Sequence, residues 1–547
     1  MSNAPSPLWT TGHTEVFHTG TWRSITPEYR YRPSPCHQAC PVGGSIATWI
    51  GQLRDGDVHA AWLTLTENNP FPAVAGRICH HPCEEACNRG EVDGAVSICK
   101  LERAVGDRAL AEGWRYPEVP VTRAEKVAVI GGGPAGLSVA YQLRRRGYAV
   151  TLFESQPQLG GLLRYGIPPY RLADDVLDGE IARILDLGVE ARTGVSVDAE
   201  TFARLRGEYA VLYVATGARR SKRLPGLDYT QPWVCDSADY LARTNAGAVP
   251  EIGQRVVVVG GGSAALDVAR TARRHGREVT VLALEDEAQL PAQREEVVEA
   301  LEEGIRLRDG AMLKSVTVHD GGALTLHCTR VTFTRGEQRG QFSVLPVAGG
   351  EFDLDADCVV PSIGQDADLA PFGEQLDGSG NLLFVGSDFR TSADGVWAGG
   401  DVASMERFVT AAVGMGKLAA LAIERELDPD AAAAAADEGT AVPRAANNTW
   451  YHAPRPRAQA PVRPAEARVD NFDEVQLALA AEQALAEAER CFSCGTCIYC
   501  DNCYYFCPDM AVTKQSDGYA IRTEYCKGCG LCVKECPTGS IEMRAGR

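Results

Sequence analysis

From residue 119 to residue 430 the chain alternates short Val-, Ile- and Leu-rich runs with glycine turns and amphipathic stretches. Unbroken apolar runs suit strands buried on both faces. Their alternation with helical periods predicts an α/β fold with parallel sheets. In residues 31–118 apolar positions instead recur at helical spacing, as at Ile46, Trp49, Ile50 and Leu53. Residues 1–30 are polar and aromatic without a period and read as an arm. Residues 431–470 open with six alanines and continue with Pro443, Pro454, Pro456, Pro461 and Pro464. That composition predicts a semi-extended linker that lets the following module sit apart. Residues 471–547 hold a short helical pattern and then a dense run of cysteines. No solenoid repeat is visible, but the α/β stretch contains two similar glycine-rich strand–turn–helix units.

Length and composition narrow the class. The 547 residues suggest three or four domains at ~150 residues each. A hydrophobic share of 45% and a charged share of 23% exclude a disordered or fibrous chain. The formal charge of −18 argues against a nucleic-acid or anionic-membrane partner. There is no apolar run long enough to cross a membrane and no secretory signal pattern, so a cytoplasmic location is expected. Of 19 cysteines, ten fall between Cys491 and Cys536. In a long chain with no mark of secretion, such density points to metal or iron–sulfur ligation.

The first glycine-rich unit is KVAVIGGGPAGLSVAYQLRRRGYAVTLFE. Gly131, Gly133 and Gly136 fit G-x-G-x-x-G. The first permits the tight turn, the second lets backbone approach a pyrophosphate, and the third lets helix and strand pack closely. The diphosphate then sits at a positive helix N-terminus. The next strand ends in Glu154, where a carboxylate can hold ribose hydroxyls. The second unit is RVVVVGGGSAALDVARTARRHGREVTVLALEDE, with Gly260, Gly262 and Ala265 giving the G-x-G-x-x-A variant and Glu285 ending the next strand.

These two units, with Ala215-Thr216-Gly217 and a WAGGD segment containing Gly400 and Asp401, resemble the two-dinucleotide flavoprotein reductases. The resemblance implies two nested Rossmann-like domains. The FAD-binding domain spans 119–229 and 361–430, and the NAD(P)-binding domain, 230–360, is inserted into it. It also implies that Asp401 hydrogen-bonds the flavin side chain and that the helix beginning near Thr410 points its N-terminus at the flavin. No acid–base residue is named, because hydride chemistry belongs to the cofactors. Cys235, Cys328 and Cys358 are isolated and read as core residues.

The last module carries two C-x2-C-x2-C-x3-C-P runs, Cys497, Cys500, Cys503, Cys507-Pro508 and Cys526, Cys529, Cys532, Cys536-Pro537. This is the two-cluster ferredoxin spacing, in which the fourth cysteine of each run serves the other cluster. One [4Fe–4S] set is therefore Cys497, Cys500, Cys503 and Cys536, and the other Cys526, Cys529, Cys532 and Cys507. Zinc ribbons also use C-x2-C pairs, but not this doubled pattern with both prolines. Cys491 and Cys494 continue the rhythm and are surplus to it, as alternate ligands or free thiols. In the helical domain, Cys36, Cys40, Cys79, Cys83 and Cys87 are candidate ligands for an N-terminal [4Fe–4S] cluster. Zinc is the competing metal, since His80 and His81 follow Cys79.

The order of CP, NPFP, GRxC, CExxC, GGGPAGL, GGLLRYGIP, a second GGG and GGD resembles the glutamate synthase small subunit family over about residues 31–425. This adds Gly161 and Leu162 to the expected FAD site, beside Gly217 of the Ala-Thr-Gly turn. Two-cluster members of that family carry an extra C-x2-C before the position of Cys36, where this chain has Arg30-Tyr31-Arg32. One N-terminal cluster, or a degenerate site, is accordingly expected. The segment 471–547 resembles the ferredoxin-like domains attached to 2-oxoacid:ferredoxin oxidoreductases. The combination implies an electron-transfer subunit between NAD(H) and catalytic subunits of a larger complex, a 2-oxoacid (2-oxoglutarate) oxidoreductase first among them. A glutamate synthase-type dehydrogenase subunit and a non-catalytic iron–sulfur scaffold are the alternatives. Leu284-Glu285-Asp286-Glu287 stands where NADP-using members have an Arg pair, which predicts preference for NAD(H), with Glu285 as discriminator.

Overall fold

The Val-rich run Lys126–Ile130 is the central strand of a five-stranded parallel sheet in a computed structural model of the chain. The structure describes residues 18, 20, 23–337, 341–430 and 439–545. The start of the expected arm and the six-alanine run lie outside the described residues. The sheet is ordered Val396–Ala398, Val211–Val214, Lys126–Ile130, Ala149–Glu154, Glu190–Thr193. A second parallel sheet is ordered Cys358–Pro361, Arg255–Val259, Glu278–Leu282, Arg306–Arg308. The chain passes between the two domains through Arg220–Ser221 and Gln365–Asp366, which pair antiparallel. The second domain is thus inserted into the first, as expected. It also carries an antiparallel meander of Ala311–Val318, Leu324–Arg335 and Phe342–Ala356 that the periodicity did not foretell.

The helical domain follows its apolar spacing. Helix Ile46–Arg54 buries Ile46, Trp49, Ile50 and Leu53. Helices Pro72–Ile78 and Ile98–Ala111 cross almost in backbone contact: a Cβ on Gly76 would meet the Arg103 backbone at 2.4 Å. The α/β body docks here through Glu180, whose carboxylate accepts hydrogen bonds from Ala73 N and Val74 N at 3.0 and 3.2 Å. It thereby satisfies free N–H groups at a helix start.

Both chain ends depart from expectation. Part of the arm is a strand, Ile25–Tyr29, paired antiparallel with the last strand, Ile541–Ala545. A strand so short is marginal without a partner, and its partner lies at the opposite end of the chain. The Pro-rich stretch is irregular, but it is a strap and not a free linker. Val442, Arg468 and Val475 are buried, and Val475 N donates to Tyr170 O at 2.9 Å. Arg468 enters the nucleotide domain beside Glu303, 3.0 Å away, and Glu302, 2.6 Å away. Arg270 and Arg274 converge on the same Glu303. Helix Ala481–Ala488 then packs on helices Ile46–Arg54 and Ile98–Ala111 of the first domain. Among the described residues no helix is long and apolar enough to cross a membrane.

Candidate functional site

A cavity of about 520 Å³ opens at the carboxyl edge of the five-stranded sheet. Its floor is the first glycine turn. Gly131 has φ of +110°, and a Cβ there would meet Ala215 O at 2.3 Å. Behind it, a Cβ on Gly136 would lie 1.9 Å from Gly131 O, so helix and strand approach as the spacing predicts. Gly133 caps helix Pro134–Arg145, whose first residues enter the wall. Glu154 is buried, accepting from Gly132 N at 2.7 Å and Gln156 N at 2.8 Å, which fixes its carboxylate at the rim.

Gly161, Leu162, Gly217, Gly400 and Asp401 line the same cavity, and helix Val409–Leu427 begins at it. Arg219, Ser155 and Arg407 also line it, and no pattern in the sequence marked them. Arg219 donates to Ser155 Oγ at 2.9 Å. The residues fit a dinucleotide. Thr216 Oγ1 and Arg407 Nε, both in the lining residues, are buried without a hydrogen-bond partner. A helix N-terminus faces the space, and a fixed carboxylate stands where ribose hydroxyls belong.

The inserted domain repeats the design. Gly260 has φ of +140°. Gly262 caps helix Ser263–Arg274 with open space beside its Cα. Ala265 is tolerated where the first unit needs glycine, its Cβ lying 3.6 Å from a Cβ built on Gly260. A Cβ on Gly261 would lie 3.0 Å from Glu285 Oε2, much as one on Gly132 would lie 3.1 Å from Glu154 Oε2. Burial raises the Glu285 pKa, with Arg335 opposing.

The cysteines gather into sets. Cys497, Cys500, Cys503 and Cys536 lie within electrostatic range of one another. Cys507, Cys526, Cys529 and Cys532 line one small cavity with Pro27 at its edge. Each group thus contains the last cysteine of the other run. The five N-terminal cysteines do not form one group. Cys79 and Cys83 share their surroundings with Cys40 and with Glu102, on helix Ile98–Ala111. Burial lifts the Glu102 carboxyl to about 7, although Asn69 donates to it at 2.7 Å. A lone glutamate in a helix gave no signal in the sequence, yet folding brings it within electrostatic range of Cys40, Cys79 and Cys83. Cys36 and Cys87 line another cavity; in each of the pairs Cys36 and Cys40, Cys83 and Cys87, one cysteine sits inside a short helix and the other at or beyond its end, where the backbone has turned away. The Cys99 thiol faces backbone oxygens of Ala75 and Gly76. Among the described residues no three His, Cys, Asp or Glu side chains close around a single metal-ion position.

The Cys79 set abuts the flavin cavity. Cys79 Sγ lies 3.8 Å from Thr410 Oγ1, next in sequence to the cavity residue Val409.

Comparison with known proteins agrees with this architecture. Residues 125–416 match the pyridine nucleotide-disulphide oxidoreductase family. Residues 30–114 match dihydropyrimidine dehydrogenase domain II, a 4Fe-4S cluster domain, and residues 519–542 a 4Fe-4S binding domain. The NADP(+)-dependent formate dehydrogenase subunit beta of Moorella thermoacetica is 34% identical, covering 85% of this chain and 71% of that one. The NADPH-Fe(3+) oxidoreductase subunit beta of Geobacter sulfurreducens is 32% identical, covering 84% and 75%. The glutamate synthase [NADPH] small chain of Mycobacterium tuberculosis is 32% identical, covering 75% and 88%. The chain uses FAD, NAD(P)H and 4Fe-4S clusters, and it belongs to the pyridine nucleotide-disulphide oxidoreductases, in the branch of iron–sulfur flavoprotein subunits that includes the glutamate synthase small chain.

Proposed function

We propose that this subunit exchanges electrons between NAD(H) and the catalytic subunit of a 2-oxoacid oxidoreductase, with the C-terminal module as the docking and delivery end. The observation that carries the electron path is the contact of Cys79 with Thr410 at the flavin cavity wall. It sets a cluster-binding thiol beside the flavin site, so electrons leave without a redox-active disulfide. FAD, when bound, converts between the two-electron chemistry of the nicotinamide and one-electron carriers. The protein's own residues bind and orient: helix Pro134–Arg145 and Glu154 fix the dinucleotide, and the start of helix Val409–Leu427 closes the opposite wall. Glu285, beside Gly261, favours the free 2′-hydroxyl of NAD(H) over the 2′-phosphate of NADP(H).

The 2-oxoacid partner rests on the ferredoxin-like module. A formate-oxidising partner is the second reading, favoured by the extent of likeness to the Moorella subunit. Purification of the native complex, assayed with 2-oxoglutarate and with formate, decides between them. Cys503→Ala tests the path: NADH still bleaches the flavin, while reduction of the co-purified partner is lost. Equal loss of both reactions refutes delivery through the module.

A further inference from the structure

The geometry points to a fourth iron–sulfur site, built from both ends of the chain, with Cys36, Cys87, Cys491 and Cys494 as its ligands.

These four thiols line one small cavity between helix Ile46–Arg54 and the segment that follows helix Ala481–Ala488. Its other walls are mostly apolar, with Ile46, Ile50, Val96 and Phe492 among them, and Ser34, Asn88 and Arg89 complete the lining. Four thiols around one small, mostly apolar space make a soft-ligand donor set of the kind that holds a cubane cluster. The sulfurs have hydrogen-bonding neighbours. Asn88 Nδ2 donates to Cys494 Sγ at 3.4 Å, Ser493 N donates to Cys491 Sγ at 3.4 Å, and Ser34 Oγ lies 3.1 Å from Cys36 Sγ. Such contacts orient thiolates and tune a cluster's potential.

A second observation is independent of the thiols. The Cys491–Cys494 segment is bolted to the first domain by charges with almost no exposure. Arg490 pairs with Glu487 at 2.6 Å and with Asp93 at 3.0 Å, and Arg490 and Glu487 are each 1% exposed. Arg89 lies over the Phe492 ring, 5.1 Å from its centroid. Ser97 N and Ala458 N both donate to Glu487. A surplus C-x2-C pair on a loose tether would need none of this.

The site also joins the other sets. Cys36 is four residues from Cys40, and Cys87 four from Cys83, so both N-terminal turns divide their thiols between this set and the one beside the flavin cavity. On the other side Cys494 is three residues from Cys497, a separation of at most ~11 Å along the chain. Cys503 and Cys507, with Cys532 and Cys536, divide in the same way between the last two sets. This site therefore fills the gap between the flavin-side thiols and the C-terminal module. Oxidation of NADH gives NAD+, a proton and two electrons, and a one-electron site conveys them singly. That relay role rests on the electron path proposed above, whereas the existence of the site does not.

The test is an iron and acid-labile sulfide count on the full chain purified anaerobically. Four cubanes require about 16 irons per chain. Cys491→Ser/Cys494→Ser and Cys36→Ser/Cys87→Ser should each lose about four irons with as many sulfides, and the quadruple variant no more than either. Unchanged iron in the first variant, additive losses in the quadruple, or loss of one zinc without sulfide overturns the site. A measurement on the unaltered protein guards against misfolded variants. Mass spectrometry after thiol alkylation should find Cys36, Cys87, Cys491 and Cys494 protected in the native protein and labelled together once iron is chelated. Labelling of Cys491 and Cys494 that does not respond to chelation overturns the assignment, whatever the partner or the direction of electron flow.

Discussion

Arg490→Met removes the cation that anchors the cysteine-bearing segment to the first domain. In the native protein Arg490 is 1% exposed and pairs with Glu487, also 1% exposed, at 2.6 Å. It also donates to the backbone oxygens of Asp93, Gly94 and Ala95 at 3.1, 2.6 and 3.2 Å. Removing one partner of a buried pair costs about 3–5 kcal/mol, because the other charge stays buried. At ~1.4 kcal/mol per tenfold, local opening of the segment should rise by roughly a hundredfold to a few thousandfold. Native-state hydrogen exchange on peptides spanning 480–495 measures that opening directly. Arg490→Met/Glu487→Leu should cost less than the sum of its single changes, since no lone charge remains. Recovery should be incomplete, because Ser97 N and Ala458 N lose their acceptor. Exchange within threefold of the native rate in Arg490→Met, with the remaining helices protected, refutes the anchoring role.

Three further outcomes follow from the geometry. Gly136→Ala places a Cβ 1.9 Å from Gly131 O and should strip the protein of flavin. The reverse change in the second unit, Ala265→Gly, should leave nucleotide binding near native; flavin-to-protein ratios and NADH titration check the pair. Glu180 is fully buried, and burial lifts its carboxyl from 4.5 to about 8. The folded state then keeps a proton that the unfolded chain releases, so stability should fall between pH 4.5 and about 8 and flatten above. The ceiling is roughly 5 kcal/mol, and Glu180→Gln should flatten the Tm profile in that window; parallel profiles refute it. Wild-type kcat/KM should favour NADH, and Glu285→Arg should move the NADPH/NADH ratio at least about tenfold, ~1.4 kcal/mol. An unchanged ratio removes Glu285 as the discriminator.

What was legible in the sequence was local. Gly131 and Gly260 announce their turns because positive φ and close backbone approach demand glycine within a few residues of a strand. The two C-x2-C-x2-C-x3-C-P runs are readable because both partners of the exchange lie in one short module. The readings that missed depend on distance along the chain. Ile25–Tyr29 has no strand signal of its own, since its partner begins at Ile541. Cys491 and Cys494 look surplus beside eight cysteines that already close two sets, and their neighbours Cys36 and Cys87 lie in the first hundred residues. Pro-rich composition describes the irregular backbone of residues 439–479 but not the burial of Arg468, which depends on Glu302 and Glu303 of another domain. Glu102 is one carboxylate among 72 acidic residues until folding brings it to Cys40, Cys79 and Cys83.

The pairing of Ile25–Tyr29 with Ile541–Ala545 has a consequence for how the protein is made. The first strand leaves the ribosome about 500 residues before its partner, a wait of roughly 25–100 s at ~5–20 residues per second. Through that interval the α/β body can fold and take up its dinucleotides, since the crossings at Arg220–Ser221 and Gln365–Asp366 are complete. The edge of Ile25–Tyr29 stays open until Ile541–Ala545 arrives. A chain halted anywhere before Ile541 keeps that edge unpaired, a site for proteolysis or misassociation. Closure of this pair thus marks a chain that extends through Ala545, and a nascent copy halted before it is distinguishable by that open edge.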